Sequence, residues 1–185
     1  MKVTDVKDST VIQILQEFGH EMQEKLKEKL VENKSYISGD LAEQIRFTAV
    51  VLGNAYEFTL RLKDYYDYVN KGVSGTDNKR NTPYSYTSAS KIPFYFAKQW
   101  MNNKNLFVAK GTTITSLAGK QYKAGDKDSQ AFAMATSWKQ KGIRGNHFYD
   151  EVVTPTRLKI LKQHLAAATG EDFEDVIVTR FKKIK

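Results

Sequence analysis

Three histidines are the natural place to begin a search for chemistry in this 185-residue chain. His20, His147 and His164 stand far apart, and none falls in an HExxH pattern or four residues from a second ligand. A metal centre therefore has no support. Cysteine is absent, which removes a disulfide framework, a thiolate zinc site and a thiol nucleophile together. Gly111 and the later Gly119-Lys120-Gln121 have a superficial likeness to a phosphate loop. The glycines are too far apart, however, and Gln121 stands where a Ser or Thr would hold magnesium. No GxSxG turn or ordered Ser, His and carboxylate set occurs. The adjacent acids Glu171-Asp172 and Glu174-Asp175 sit in a polar connection, where hydration explains them better than a tuned acid–base pair. The sequence predicts no catalytic residue, no cofactor and no metal.

Charge is the more informative chemistry. The chain carries 29 Lys+Arg against 21 Asp+Glu, a net +8, and the excess is local. Between Ser74 and His147 lie twelve basic residues, among them Lys79, Arg80, Lys104, Lys110, Lys120, Lys123 and Lys127, against Asp77, Asp126 and Asp128. Interleaved with them are Tyr84, Tyr86, Tyr95, Trp100, Phe107, Tyr122 and Trp138. Cationic grooves lined with rings hold nucleic acid through phosphates and stacked bases, so a nucleic-acid-binding accessory protein is one expectation. Two features oppose it: the Trp and Phe positions mostly recur at helical spacing, which marks core, and no RNP, zinc-finger or helix-turn-helix pattern is present. Solubility is the plainer use of such an excess.

The elements that must position these groups are legible from periodicity. Val11, Leu15, Phe18, Met22, Leu26 and Leu30 form one helical stripe, widened by Ile12, Ile14 and Val31. Asp8, Ser9 or Thr10 is the expected cap, and Asn33-Lys34 the end. In QIRFTAVVL and AYEFTLRLK, apolar residues alternate on both arms around Gly53-Asn54, which predicts a β-hairpin over 44–63 with one buried face. A tyrosine-rich helical turn follows, with Tyr65, Tyr68 and Val69 on one face and Gly72 as the stop. Residues 73–90 read as loop. A helix capped by Ser88 or Ser90 carries Phe94, Ala97, Trp100 and Met101. Residues 104–127 fit a small hairpin or a mobile excursion equally. Asp128 is the expected cap of a helix bearing Ala131, Ala135 and Trp138, ended by Gly142. Thr154-Pro155 opens a last helix closed by Gly170, and FEDVIVTRF suits a strand.

These elements predict an α+β fold: a long N-terminal helix and further helices packed on a small antiparallel sheet containing the 44–63 hairpin. The expectation is one domain over 1–185, with a basic, loop-rich excursion at about 73–127. At 41% apolar and 12% aromatic residues the chain can bury a core. MKVTDVKDST lacks the apolar segment of a signal peptide, and no run approaches the ~18 apolar residues of a membrane span, so no membrane partner is expected.

Three segments, in order, resemble a known family. Ser38-Gly39-Asp40-Leu41-Ala42-Glu43-Gln44-Ile45 leads into the hairpin, and Tyr65-Tyr66-Asp67-Tyr68-Val69-Asn70-Lys71-Gly72 follows it. Ala131-Phe132-Ala133-Met134 and Lys141-Gly142-Ile143-Arg144-Gly145-Asn146-His147-Phe148-Tyr149 precede the last helix. The arrangement is similar to the tail-completion, or neck, proteins of tailed bacteriophages, the head–tail connector family, over roughly 10–72 and 128–168. The resemblance implies a non-enzymatic structural protein of the virion, assembled in the host cytoplasm. It implies a homo-oligomeric ring of portal-matched symmetry joining portal or adaptor to tail proteins around the DNA channel. The segment from about 73 to 127 is longer than that pattern requires. Its basic residues, with Tyr65 and Tyr68, are the expected contacts to a neighbouring copy or to DNA.

Overall fold

The computed structural model describes residues 3–33, 40–52, 55–115, 119, 121–170 and 179–181. In chain order the elements are α1 (Val3–Glu32), α2 (Asp40–Glu43), β1 (Arg46–Leu52), β2 (Ala55–Arg61), α3 (Tyr66–Lys71), β3 (Gly72–Val73), α4 (Phe94–Asn103), β4 (Thr113–Thr115), β5 (Gln121–Lys123), α5 (Lys127–Lys141), β6 (Ile143–Arg144), α6 (Phe148–Val152), α7 (Pro155–Thr169) and β7 (Thr179–Phe181). The fold is α+β. The chain forms two compact units, one of residues 1–70 with 147–185 and one of residues 71–146. The basic excursion expected at 73–127 falls inside the second.

In the first unit α1 is 30 residues long, about 45 Å at 1.5 Å per residue. It starts earlier than the expected caps at Asp8 to Thr10. Its stripe is core as expected: Val11, Leu15, Met22, Leu26 and Leu30 are buried, whereas Val31 is exposed. Glu21 and Lys25 pair at 2.6 Å on the wet face. The stripe packs on the hairpin, with Phe18 edge-on to Phe58 at 5.6 Å and Phe47 stacked on Phe58 at 6.0 Å. The register pairs Arg46 with Arg61 through Leu52 with Ala55. Gly53-Asn54 between them, and Ser38-Gly39 of the segment leading into the hairpin, lie outside the described residues. Thr59, expected on the wet face, is 2% exposed, flanked in the sheet by Thr48 and Thr179; its hydroxyl donates to Glu57 Oε1 at 2.8 Å. β7 joins the other side of β2 in parallel, so the sheet is mixed rather than purely antiparallel. A chain that crosses back through helices before returning can enter a sheet in that sense. Phe148, Tyr149 and Val152 of α6 and Leu161 and Leu165 of α7 complete this core. Thr154 and Gly170 bound α7 as the sequence predicts.

The second unit is built around a backbone crossing. β3 and β6 pair antiparallel, Gly72 with Arg144 and Val73 with Ile143. The stretch expected as plain loop after Val73 is an ordered knot. Ser74 Oγ accepts from Arg80 N at 2.9 Å and donates to Arg80 O, Ser74 N donates to Tyr84 O, and Tyr86 N donates to Ser74 O. α4 and α5 pack together through Ala97, Met101, Ala131 and Ala135, with Trp100 edge-on to Trp138 at 5.3 Å. The helical tryptophans are therefore packing residues. β4 and β5 form a small hairpin, which decides between the two readings of 104–127.

Two caps differ from expectation. Asp126, not Asp128, caps α5 by accepting from Ser129 N at 2.8 Å, which leaves Asp128 to pair with Lys98 at 2.6 Å. α4 follows Pro93 with no side-chain cap, because Ser90 Oγ is bonded to Thr87 N and Ser90 O takes the Lys139 ammonium.

The chain leaves and re-enters the first unit at adjacent points: His147 N donates to Asn70 O at 3.0 Å. Every member of the main apolar cluster belongs to the first unit. Replacing residues 71–146 by a flexible linker of about four residues should therefore leave a cooperatively folding domain. Far-UV circular dichroism with a sigmoidal melt is the expected result; a non-cooperative melt would show that the two units share one core.

Candidate assembly edge and basic surface

Among the described residues the sheet order is β1-β2-β7, so β1 is an outer strand there. Outer strands are templates for further pairing, and proteins commonly blunt them with lysine, proline or bulges. β1, RFTAVVL, is seven residues paired without a bulge and has neither lysine nor proline. Its charged end is Arg46, whose guanidinium donates to Glu43 O and to Ile45 O. Its other end is apolar and open, with Val50 41%, Val51 38% and Leu52 56% exposed. Phe47 and Ala49 follow strict alternation and pack against the core, as does Tyr56 opposite Val51, but Val50, Val51 and Leu52 are exposed in succession. The run of three apolar residues at the end of an alternating strand was the available signal for this edge.

Tyr65 and Tyr68 are exposed on the first unit. The residue of that segment that matters structurally is Asn70, which sequence reasoning passed over. Asn70 is 1% exposed; its Oδ1 accepts from Tyr149 N at 3.0 Å and its Nδ2 donates to Asp150 Oδ2 at 2.8 Å. It thereby caps α6, whose own N-cap residue, His147, supplies no side-chain bond.

The basic residues of the second unit divide into two groups. Arg80 is structural: its backbone is held by Ser74 and its guanidinium donates to Lys141 O at 3.0 Å. Lys139 donates to Ser88 O and Ser90 O, and Lys98 is paired with Asp128. Lys104 closes α4, with its N–H on Trp100 O. Lys79 is exposed, its ammonium 3.4 Å from Gly75 O. Lys120 lies outside the described residues. Lys110, Lys123 and Lys127 meet where the β4–β5 hairpin joins α5. Gly111 N donates to Ala124 O, Lys123 Nζ donates to Thr113 Oγ1 at 2.9 Å, and Lys127 Nζ lies 5.4 Å from the centre of the Phe107 ring. Asp126 at this corner is held below the usual carboxylate range, first by the Ser129 backbone N–H, then by the Ser129 hydroxyl, with Lys110 adding a smaller pull.

A cleft of about 230 Å³ between α1 and α7, floored by Ile14, Phe18 and Leu161 and rimmed by Glu17, Glu21, Arg157 and His164, falls below the ~300 Å³ of ordinary ligand pockets. Among the described residues no three His, Cys, Asp or Glu side chains gather as a metal site, and no helix is long and apolar enough to cross a membrane. No family model, curated protein or solved structure matches this chain.

Proposed function

We propose that this protein is a non-enzymatic assembly subunit whose copies join edge to edge into a closed ring, and that the ring is part of the head–tail neck of a tailed-phage virion. The open β1 edge carries the assembly half of the reading. β1 runs antiparallel to β2 and β7 parallel to it, so the two outer strands are antiparallel to each other. β1 of one copy beside β7 of the next continues the ladder. That contact joins two different patches, the kind that closes into a ring when its rotation divides a full turn. The order of the three motif segments, with the resemblance they carry, supports the virion placement.

Sedimentation velocity with negative-stain imaging tests the ring; a strict monomer at high concentration overturns it. Val50→Lys with Leu52→Lys should weaken self-association at least about a hundredfold, since each removes ~1.5 kcal/mol or more of apolar burial, while leaving the far-UV spectrum unchanged. Undiminished association of that variant would take the contact away from β1. Peptide mapping of purified phage particles tests the neck placement separately, and particles lacking this chain would remove it.

A further inference from the structure

Residues 71–146 contain thirteen lysines and arginines and three aspartates, with no glutamate, while the rest of the chain is slightly acidic. The charge boundary thus coincides with the boundary of a folding unit. Solubility alone does not require that coincidence. All three acids are engaged inside the unit: Asp77 accepts from Thr76 Oγ1, Asp126 caps α5 and Asp128 holds Lys98.

We infer that the corner formed by Lys110, Lys123 and Lys127 is a sequence-blind contact for the phosphodiester backbone of duplex DNA. Three observations carry this. The lysines come from three chain segments, the approach to β4, β5 and the first turn of α5, and are brought together only by folding. The corner is fixed: Gln130 bonds both Val108 N and Val108 O and also Gly125 O, so the segment leading to Lys110 is latched onto α5. Backbone that is already fixed loses little further freedom when the lysines it carries meet a row of phosphates. The third observation selects phosphates over bases. Tyr122, 52% exposed, neighbours Lys123 on β5 and so faces the opposite side of the ribbon, and Phe107 already lies under the Lys127 ammonium. The rings at this corner are thus turned away from stacking, which distinguishes it from a single-strand groove. Asp126, in the same corner, keeps its negative charge but is engaged inside the unit, by the Ser129 backbone N–H and hydroxyl first and by Lys110 more weakly.

The contact is independent of how copies associate, and its test reads a different quantity. Fluorescence anisotropy with a mixed-sequence duplex oligonucleotide should give a log–log salt slope that becomes shallower by about 2.7 when Lys110, Lys123 and Lys127 are all changed to Gln, at ~0.9 per phosphate. Between about 50 and about 200 mM salt those three contacts account for a roughly 40-fold loss of affinity. The control variant changes Lys79, Lys91 and Lys141 to Gln, with the same loss of charge elsewhere on the unit. It should retain most of the slope. Equal losses in both variants would reduce the effect to net charge and overturn the site, as would duplex binding absent at low salt or a preference for single strands. Competition by an acidic peptide as strong as by duplex would reassign the surface to a protein partner. Unchanged tryptophan emission in both variants shows that the unit remains folded.

Discussion

Asn70→Ala is expected to destabilise the first unit by about 3 kcal/mol, a fall of roughly 10 °C or more in Tm for a domain of this size. The change strands the Tyr149 backbone N–H, which is buried, and takes from Asp150 its 2.8 Å donor. It also removes the cap of α6, the element that supplies Phe148, Tyr149 and Val152 to the core. Asn70→Asp separates these effects. The new carboxylate still accepts from Tyr149 N, but it faces Asp150 Oδ2 where an N–H donor stood, with His147 Nδ1 at 3.7 Å from that same oxygen. Burial and the Asp150 charge raise the folded-state pKa of the introduced acid above its unfolded value. A raised pKa favours folding below the unfolded value and loses that contribution as pH rises. The deficit of Asn70→Asp against wild type should therefore be full at pH 7 and narrow as pH falls toward ~4. Thermal melts across that range check it; a variant as stable as wild type at pH 7 would mean that Asp150 turns away.

That residue also shows where sequence reading reached and where it stopped. Elements resting on repetition were legible: the stripe from Val11 to Leu30 needs only a period of 3.6 and the arms around Gly53-Asn54 only a period of two. Thr154-Pro155 and Gly170 were legible because helix ends have local chemistry. Asn70 was not. Its partners lie 79 and 80 residues away, and nothing nearby distinguishes a buried asparagine from a turn asparagine. The α5 cap was missed by two residues because Asp126 and Asp128 offer the same side chain, and only tertiary pairing with Lys98 assigns Asp128 elsewhere. The basic residues were visible as composition. Their division into Arg80, Lys98 and Lys139, which hold the fold, and Lys110, Lys123 and Lys127, which face outward, depends on contacts up to 61 residues apart.

Gly142→Ala is expected to cost at least about 3 kcal/mol and to unfold the second unit selectively. Gly142 has φ +73° and ψ 177°, a combination open essentially to glycine alone. A Cβ there would also lie inside the contact distance of the Val73 carbonyl oxygen and 2.6 Å from Gly75 N. Both obstacles are backbone held in the β3–β6 crossing, so no side-chain rotation relieves them. Gly111→Ala isolates the dihedral contribution: φ is +85°, and nothing lies within 4 Å of the added carbon. It should cost ~1 kcal/mol. Trp100 and Trp138 are the chain's two tryptophans and both belong to the second unit, so their emission reports that unit alone, while circular dichroism reports the whole chain. For Gly142→Ala the tryptophan transition should move to much lower denaturant or disappear, with most of the helical signal, including that of α1, retained. The core of the first unit draws on no residue between 71 and 146, so its packing has no direct stake in this glycine. Loss of both signals in one transition would show that the insertion and its host fold as one, and would refute the independence on which the 71–146 deletion also relies.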